Sequence, residues 1–344
     1  MKSEEIILNQ LAERGELGRA ELAEALPEPV SDATLKRTLQ RLVQEGKLET
    51  TGRARATRYR LSAAGMLFGT VDLDAYFDVA LDERVARTGY NFDLIEHQLP
   101  QVALFSERER ATLLSLQAEF ERHLAEMTPA GKQRELTRLG IDLSWKSSQI
   151  EGNTYTLLET ERLLREREEA EGKTREEAIM LLNHKAALDF IARHTDYLQE
   201  LSVAHIEDIH SLLVQDLHVE RNIRRRRVGI IGTVYRPLDN EFQIREALEA
   251  ACRLVNGTTC VFSKALLTLV LLSYIQAFED GNKRVARIAA NAVLMAHGYC
   301  PLSYRSVNAL DYKKAMLLFY ERNNISAIKD IFMGQYAFAV NTYF

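Results

Sequence analysis

The chain is poor in the residues that staple, span or interrupt a fold. Three cysteines, Cys252, Cys260 and Cys300, stand in 344 residues. They are widely spaced, odd in number and form no Cys-x-x-Cys pair, which argues against a disulfide framework or a zinc ribbon and for a reducing cytoplasm. Only 6 prolines and 17 glycines are present, so there is little material for long disordered linkers. The most apolar run, "ALLTLVLLSYI" at 265–275, is too short to cross a bilayer and reads as a buried core helix, so no membrane partner is expected. The opening "MKSEEIILNQ" is acidic and amphipathic, unlike a signal peptide. Charge of one sign is lacking too. Lys+Arg number 44 against 49 Asp+Glu, a net charge of −5. That excludes wholesale coating of nucleic acid but leaves room for local basic patches.

What is present is ordinary for a soluble globular protein: 46% apolar and 27% charged residues, in a length that suits two or three domains. Ile6, Ile7, Leu8 and Leu11 form a helical stripe within 3–14. Leu22 and Leu26 mark a second, short helix, which Pro27 and Pro29 end. Ser31 or Asp32 caps a third, with Leu35, Leu39 and Leu42 inward and Gly46 at its end. Residues 47–62 then alternate about Gly52 as a hairpin would. Helix, short helix, longer helix, hairpin is the order of a winged helix-turn-helix, assigned to 1–62.

Residues 31–60 hold eight Lys/Arg against three Asp/Glu. Lys36, Arg37 and Arg41 lie off the leucine face, and Arg53, Arg55 and Arg58 fall in the wing. Phosphate contact plus groove entry requires such a pattern, so DNA is the expected partner. The alternative is a solvated basic face on a dimerisation module. Binding of paired half-sites makes a homodimer an expected state.

Residues 63–130 read as a connecting helical region, with a Ser106-capped helix at 106–127. From 131 to 344 the pattern is helix after helix, over 132–148, 156–168, 174–195, 202–215, 243–256, 262–278, 283–297, 309–322 and 326–341. The fold class is therefore mainly α. The charge run at 159–177 reads as a solvated helix face. Four consecutive arginines at 224–227 suit phosphate or nucleic acid, but the favoured reading is exposure to solvent or pairing with the acidic helix at 159–177.

The stretch "QAFEDGNKRVAR" at 276–287 carries the chemistry. A Gly-Asn turn opens a helix there, where backbone N–H groups and the helix dipole favour anions. Gly281 permits close backbone approach. Arg284 and Arg287, three apart, share a face of the first turn and suit a polyphosphate. Asp280 is a hard oxygen ligand suited to Mg²⁺ on phosphates. The bland alternative is a capped helix with surface arginines.

The stretch resembles the signature of the Fic family, His-Pro-Phe-x-(Asp/Glu)-Gly-Asn-(Gly/Lys)-Arg-x-x-Arg. Phe278, Asp280, Gly281, Asn282, Lys283, Arg284 and Arg287 match in register. "SSQIEGN" at 147–153 resembles the family's inhibitory motif through Ser147, Glu151 and Gly152, and "VGIIGTVYRPL" at 228–238 is similar to the flap hairpin. The resemblance covers about 130–344. It implies a helical Fic-type domain at 131–344, with a β-hairpin flap and an inhibitory helix at 132–153. It also implies transfer of AMP from ATP to a Ser, Thr or Tyr hydroxyl of a target protein. On that resemblance Asp280 holds Mg²⁺. Gly281, Asn282, Lys283, Arg284 and Arg287 hold the nucleotide. Glu151 pairs with Arg287 and hinders the γ-phosphate, and Ile230, Ile231 and Thr233 align a target strand.

The departure is Gln276, at the position of the family's histidine base. A glutamine amide orients a hydroxyl but does not take its proton at neutral pH. The loss of a positioned base costs about 10²–10⁴-fold in rate. The expectation is a nucleotide-responsive regulator that binds ATP with Mg²⁺ and DNA, with transfer crippled. The alternative is an adenylyltransferase with residual activity, restrained by Glu151.

Overall fold

A computed structural model describes residues 3–344, apart from the side chains of Glu5 and Arg55. The chain divides into two compact units. The first holds residues 1–102, 230–236 and 314–328, and the second holds 103–229, 237–313 and 329–344.

In the first unit, α1 (Ser3–Arg14), β1 (Glu16–Gly18), α2 (Arg19–Glu24), α3 (Asp32–Gln44), β2 (Leu48–Thr51) and β3 (Arg58–Leu61) follow one another. Strand β3 is central, antiparallel to both neighbours, with Leu17 opposite Tyr59 and Leu48 opposite Leu61. Helix, short helix, longer helix and hairpin thus follow in the order expected from the sequence, with β1 added. Its core joins Ile7, Leu11, Leu22, Leu35, Leu39, Leu42 and Leu48. The leucine stripe of α3 is thus buried as its spacing dictates, and the Ser31 hydroxyl caps the helix by accepting from Thr34 N–H. Strand β1 was not expected from the sequence, because three residues are too few to show a period. Two six-residue helices, α4 (Ala63–Phe68) and α5 (Leu73–Asp78), follow it in the connecting stretch.

The second unit is helical. It contains α6 (Glu107–Glu126), α7 (Pro129–Ile150), α8 (Leu157–Glu166), α9 (Arg175–Arg193), α10 (Val203–Leu213), α11 (Glu241–Gly257), α12 (Val261–Ile275) and α13 (Asn282–Ala296). Helices α14 (Ala309–Arg322) and α15 (Ser326–Tyr343) contribute to both units. Each span expected after residue 131 is a helix. The α12 helix is buried from Ala265 to Ile275, as a segment so rich in apolar residues should be. It packs along α13, while α9 lies against α7, α10 and α13.

Capping boxes set the starts of α8 and α9. The second box does more. Glu177 accepts from Thr174 N–H at 3.0 Å, and its other oxygen accepts from the N–H and hydroxyl of Thr154, each at 2.7 Å. It therefore ties the turn after α7 to α9. Hydrogen bonds from Thr154, then Thr174, lower its carboxyl from the ordinary 4.5 to about 2. A depressed carboxylate stabilises the fold above its unfolded pKa, and the contribution is lost as the proton returns. Thermal melts of the native chain should therefore fall more steeply than those of Glu177→Gln as pH drops from 4.5 towards about 2. Parallel curves through that window would show that the carboxylate holds nothing in place.

Candidate functional site

The end of α12 is set by Gln276, which adopts a left-handed conformation, φ 53° and ψ 57°. The helix stops three residues short of the expected 278, and Gln276 is its cap. A non-glycine residue holds this conformation only where its surroundings over-determine it. Here its N–H reaches Leu272 O at 3.3 Å, its carbonyl accepts from Arg224 Nε at 2.6 Å, and its Nε2 donates to Ser273 O at 2.6 Å. The side chain is buried, and its N–H₂ closes the helix end.

Arg224 departs from the solvated reading of the arginine run. It is 1% exposed. Beyond Gln276 O, its side chain serves Arg226 O at 2.8 Å and Leu238 O, and its backbone N–H donates to Ala277 O at 3.0 Å. Buried carbonyls need donors, and a guanidinium fork supplies several. Its neighbours Arg225 and Arg227 are exposed and ion-paired as expected, but with Glu241 and Asp239, each at 2.7 Å, and not with the 159–177 helix.

Three features shape the loop that follows. The Asn282 amide accepts from Phe278 N–H at 2.8 Å and donates to Phe278 O at 2.7 Å, so this side chain is spent on the loop itself. Gly281 has φ +82°, where a Cβ would be strained. His210 of α10 stacks on Phe278, with centroids 3.7 Å apart and planes 4° apart. Its Nε2 lies 3.0 Å from Asp280 O and its Nδ1 3.2 Å from Arg221 O. Burial lowers its pKa, and a neutral ring has one N–H to give, so it braces one carbonyl at a time. No side chain caps the N–H groups that open α13, which leaves them directed at an anion position.

Two guanidinium groups stand at that helix start, Arg284 at 1% and Arg287 at 0% exposure. Arg284 Nη2 meets Asp280 Oδ2 at 2.7 Å. Arg287 donates from Nε to Ser147 Oγ at 2.8 Å, and from Nη2 to Ser147 O at 3.0 Å and Glu151 Oε1 at 2.9 Å. Lys283 Nζ reaches the other Glu151 oxygen at 3.3 Å. The structure therefore brings Ser147, Glu151, Lys283 and Arg287 together across 140 residues of chain. Gly152, with φ +103°, turns the chain just after Glu151. Burial would raise the Glu151 carboxyl, but the Arg287 and Lys283 charges outweigh it and hold the group low. Glu151 is thus an ionised counter-anion, on a side chain 18% exposed.

The arginines are not saturated. Nη1 of Arg284 and Nη1 of Arg287 are buried with no hydrogen-bond partner, and so is the hydroxyl of Tyr312, whose ring lies 5.6 Å from Arg287 Cζ. Buried charged donors without acceptors suit an oxyanion. His184 of α9 is fully buried with neither ring nitrogen bonded. Burial, then the charges of Arg287 and Arg284, push its pKa well down, so it stands neutral behind them. Nothing in the sequence pattern of α9 singles it out. Asp280 is 63% exposed. Among the described residues no three His, Cys, Asp or Glu side chains cluster as a metal site. A divalent cation would therefore rest on Asp280 together with phosphate oxygens, which the donor set fits.

The other expected site residues lie in the first unit. Ile230, Ile231 and Thr233 belong to a segment that turns at Ile231–Gly232. Ile231 is 98% exposed. Thr233 Oγ1 accepts from Tyr235 N–H at 3.0 Å. The segment's one β-bridge among the described residues joins Arg236 to Gly89. In the N-terminal part of the first unit, Lys36, Arg37 and Arg53 are exposed. Arg41 is tied to Glu4 at 2.6 Å and Glu45 at 3.2 Å, and Arg58 to Glu21 at 3.0 Å. Arg55's side chain lies outside the described residues. The basic face is thus partly neutralised from within.

Comparison with known proteins places this geometry. Residues 200–294 match the model of the Fic/DOC family. Protein adenylyltransferase Fic of Drosophila ananassae is 27% identical over 158 residues, 44% of this chain and 31% of its own length. The protein of that name from Nematostella vectensis is 27% identical over 191 residues, 54% of this chain and 45% of its own. The chain thus spans less than half the length of these curated relatives. Among solved structures, Fic-1 of C. elegans superposes with a TM-score of 0.61 at 20% identity, covering 72% of this chain and 74% of that one. A Fic domain containing signaling protein from Bacteroides thetaiotaomicron gives 0.56 at 19% identity, covering 67% and 94%. The fold is of the Fic type, and residues 200–294 carry the match to the Fic/DOC family.

Proposed function

We propose that the second unit binds the polyphosphate of ATP at the start of α13 and that Glu151 is the internal anion it displaces. The observation that carries this reading is the pair of buried guanidinium groups with a free Nη1 each, faced by one partly exposed carboxylate. Arg284, Lys283 and the α13 backbone N–H groups would bind the phosphates, and Arg287 would turn from Glu151 to the terminal one. Asp280 would hold Mg²⁺, which supplies charge neutralisation on the phosphates. The curated relatives are named as adenylyltransferases, which supports AMP transfer to a protein hydroxyl as the ancestral chemistry. The Ile230–Thr233 segment would align the acceptor as an added strand.

At Gln276 this chain lacks the base. The amide closes α12, and its N–H₂ is already engaged with Ser273. His210, beside the loop, faces carbonyls with both nitrogens, so it is no ready substitute. We infer a nucleotide-responsive regulator whose transfer step is slow. Calorimetry with ATP and Mg²⁺ should show binding that tightens in Glu151→Gly, and no heat from either protein would sink the nucleotide reading. With labelled ATP, Gln276→His should raise covalent labelling about 10²–10⁴-fold, the usual worth of a positioned base. Equal labelling without the histidine would overturn the slow-step reading.

DNA binding by the winged helix belongs to the same proposal and rests on the exposed Lys36, Arg37 and Arg53. The double variant Lys36→Ala, Arg37→Ala should weaken a gel shift with duplex DNA and flatten its dependence on salt. Retention that ignores both the variant and salt would assign the module to dimerisation.

A further inference from the structure

The segment 230–236 clusters with the N-terminal residues, not with the helices that flank it in the chain. Its anchors explain why. Arg84 Nη1 donates to Gly232 O at 3.2 Å, at the turn itself. The same nitrogen meets Glu321 Oε1 at 3.2 Å, on a side chain that is 0% exposed, while that of Arg84 is 8% exposed. Tyr76 donates its hydroxyl to the other Glu321 oxygen at 2.7 Å. The Arg84 guanidinium lies 4.8 Å from the Phe77 ring centroid. A few residues on, Arg236 N–H donates to Thr88 O at 3.0 Å, within the bridge to Gly89. The turn and its exit arm are thus both held by one strap, residues 84–89, and the strap's root is a buried ion pair.

The middle of the strap is held by single polar contacts, Arg87 N–H to Glu321 O at 2.7 Å and the Tyr76 hydroxyl to Val85 O at 3.2 Å. A cavity of about 1020 Å³ borders it, its lining including Val85, Ala86, Arg87, Lys47, Arg60 and Met66. A segment bordered by open space is positioned by its few polar contacts rather than by packing. The one that reaches the 230–236 turn is Arg84's.

We propose that Arg84 is the positioning residue of the 230–236 segment, setting its turn from the N-terminal side through a fork shared between Glu321 and the Gly232 carbonyl. This rests on the reading of that segment as the acceptor-docking strand. Its consequence is that the connection leading from the winged helix sets the geometry offered to a target. A partner that shifts residues 84–89 therefore shifts the docking strand as well.

Amide hydrogen exchange on the full chain tests this without requiring any transfer activity. Arg84→Met strands the Glu321 carboxylate, so it is paired with Arg84→Met, Glu321→Gln, which leaves no orphan charge. In both, exchange at Tyr235 and Arg236 should rise about 10- to 100-fold, the worth of one charge-assisted hydrogen bond. Rates in α3 and α13 should stay at native values, and Arg84→Lys should fall between native and Arg84→Met. ATP affinity by calorimetry should change less than about twofold, because the phosphate site keeps its ligands. Unchanged exchange at Tyr235 and Arg236 in the double variant overturns the assignment. So does acceleration of equal size in α3, which would make Arg84 a general stabiliser. If no variant binds ATP, the nucleotide reading falls while the exchange result still decides the role of Arg84.

Discussion

The second unit depends on the buried Arg287 guanidinium and its need for an anion. A fully buried arginine stays charged, and removal from water is tolerated only where hydrogen bonds and an opposite charge replace the solvent. Glu151 supplies the charge, and Ser147 supplies two acceptors. This requirement joins the C-terminal end of α7 to the second turn of α13. It also explains the residues around it. Gly152 must turn the chain away at once, and Asn153 donates to Glu177 O at 2.9 Å to hold that turn on α9. The same interaction would gate the site, since the group that satisfies Arg287 in the free protein is one that a phosphate would replace.

Gln276 separates structural duties from the chemical one that the proposed reading would ask of its position. The position is a left-handed cap whose carbonyl is gripped by Arg224 and whose amide finds Ser273. These are structural duties, and a glutamine performs them. Proton transfer is a different demand, and an amide does not meet it. Lys283, Arg284 and Arg287 sit beyond Gly281 and make no hydrogen bond to Gln276, so on the proposed reading binding and chemistry are separable.

Much of this was legible in the sequence, for reasons that can be named. The helices after 131 have long amphipathic or wholly apolar stripes, and Leu35, Leu39 and Leu42 fix the buried face of α3. The Asp280–Arg287 stretch was readable because each residue type meets a specific charge or dihedral requirement, whereas Ser147, Glu151 and Gly152 were readable only through the resemblance to the Fic family's inhibitory motif. What stayed hidden depends on tertiary context. Strand β1 and helices α4 and α5 are too short for periodicity. Arg224 reads as surface in a run of arginines and is buried because of carbonyls elsewhere in the chain. His184 and His210 lie in ordinary helical patterns, and only folding brings one behind the arginines and the other onto Phe278.

Each unit contains a buried arginine–carboxylate pair, and their difference bears on what each can do. Glu321 is 0% exposed and has the Tyr76 hydroxyl as a second donor. Nothing from solvent competes for it, although Arg84 Nε, like Arg287 Nη1, is buried without an acceptor. Glu151 is 18% exposed, and its arginine keeps an unused Nη1. Solvent, and any oxyanion in it, can compete for the pair from the Glu151 side. The Arg84 pair therefore suits a permanent anchor and the Arg287 pair suits a replaceable one. A chain that answers to a ligand needs both kinds, a fixed frame and a contact that gives way.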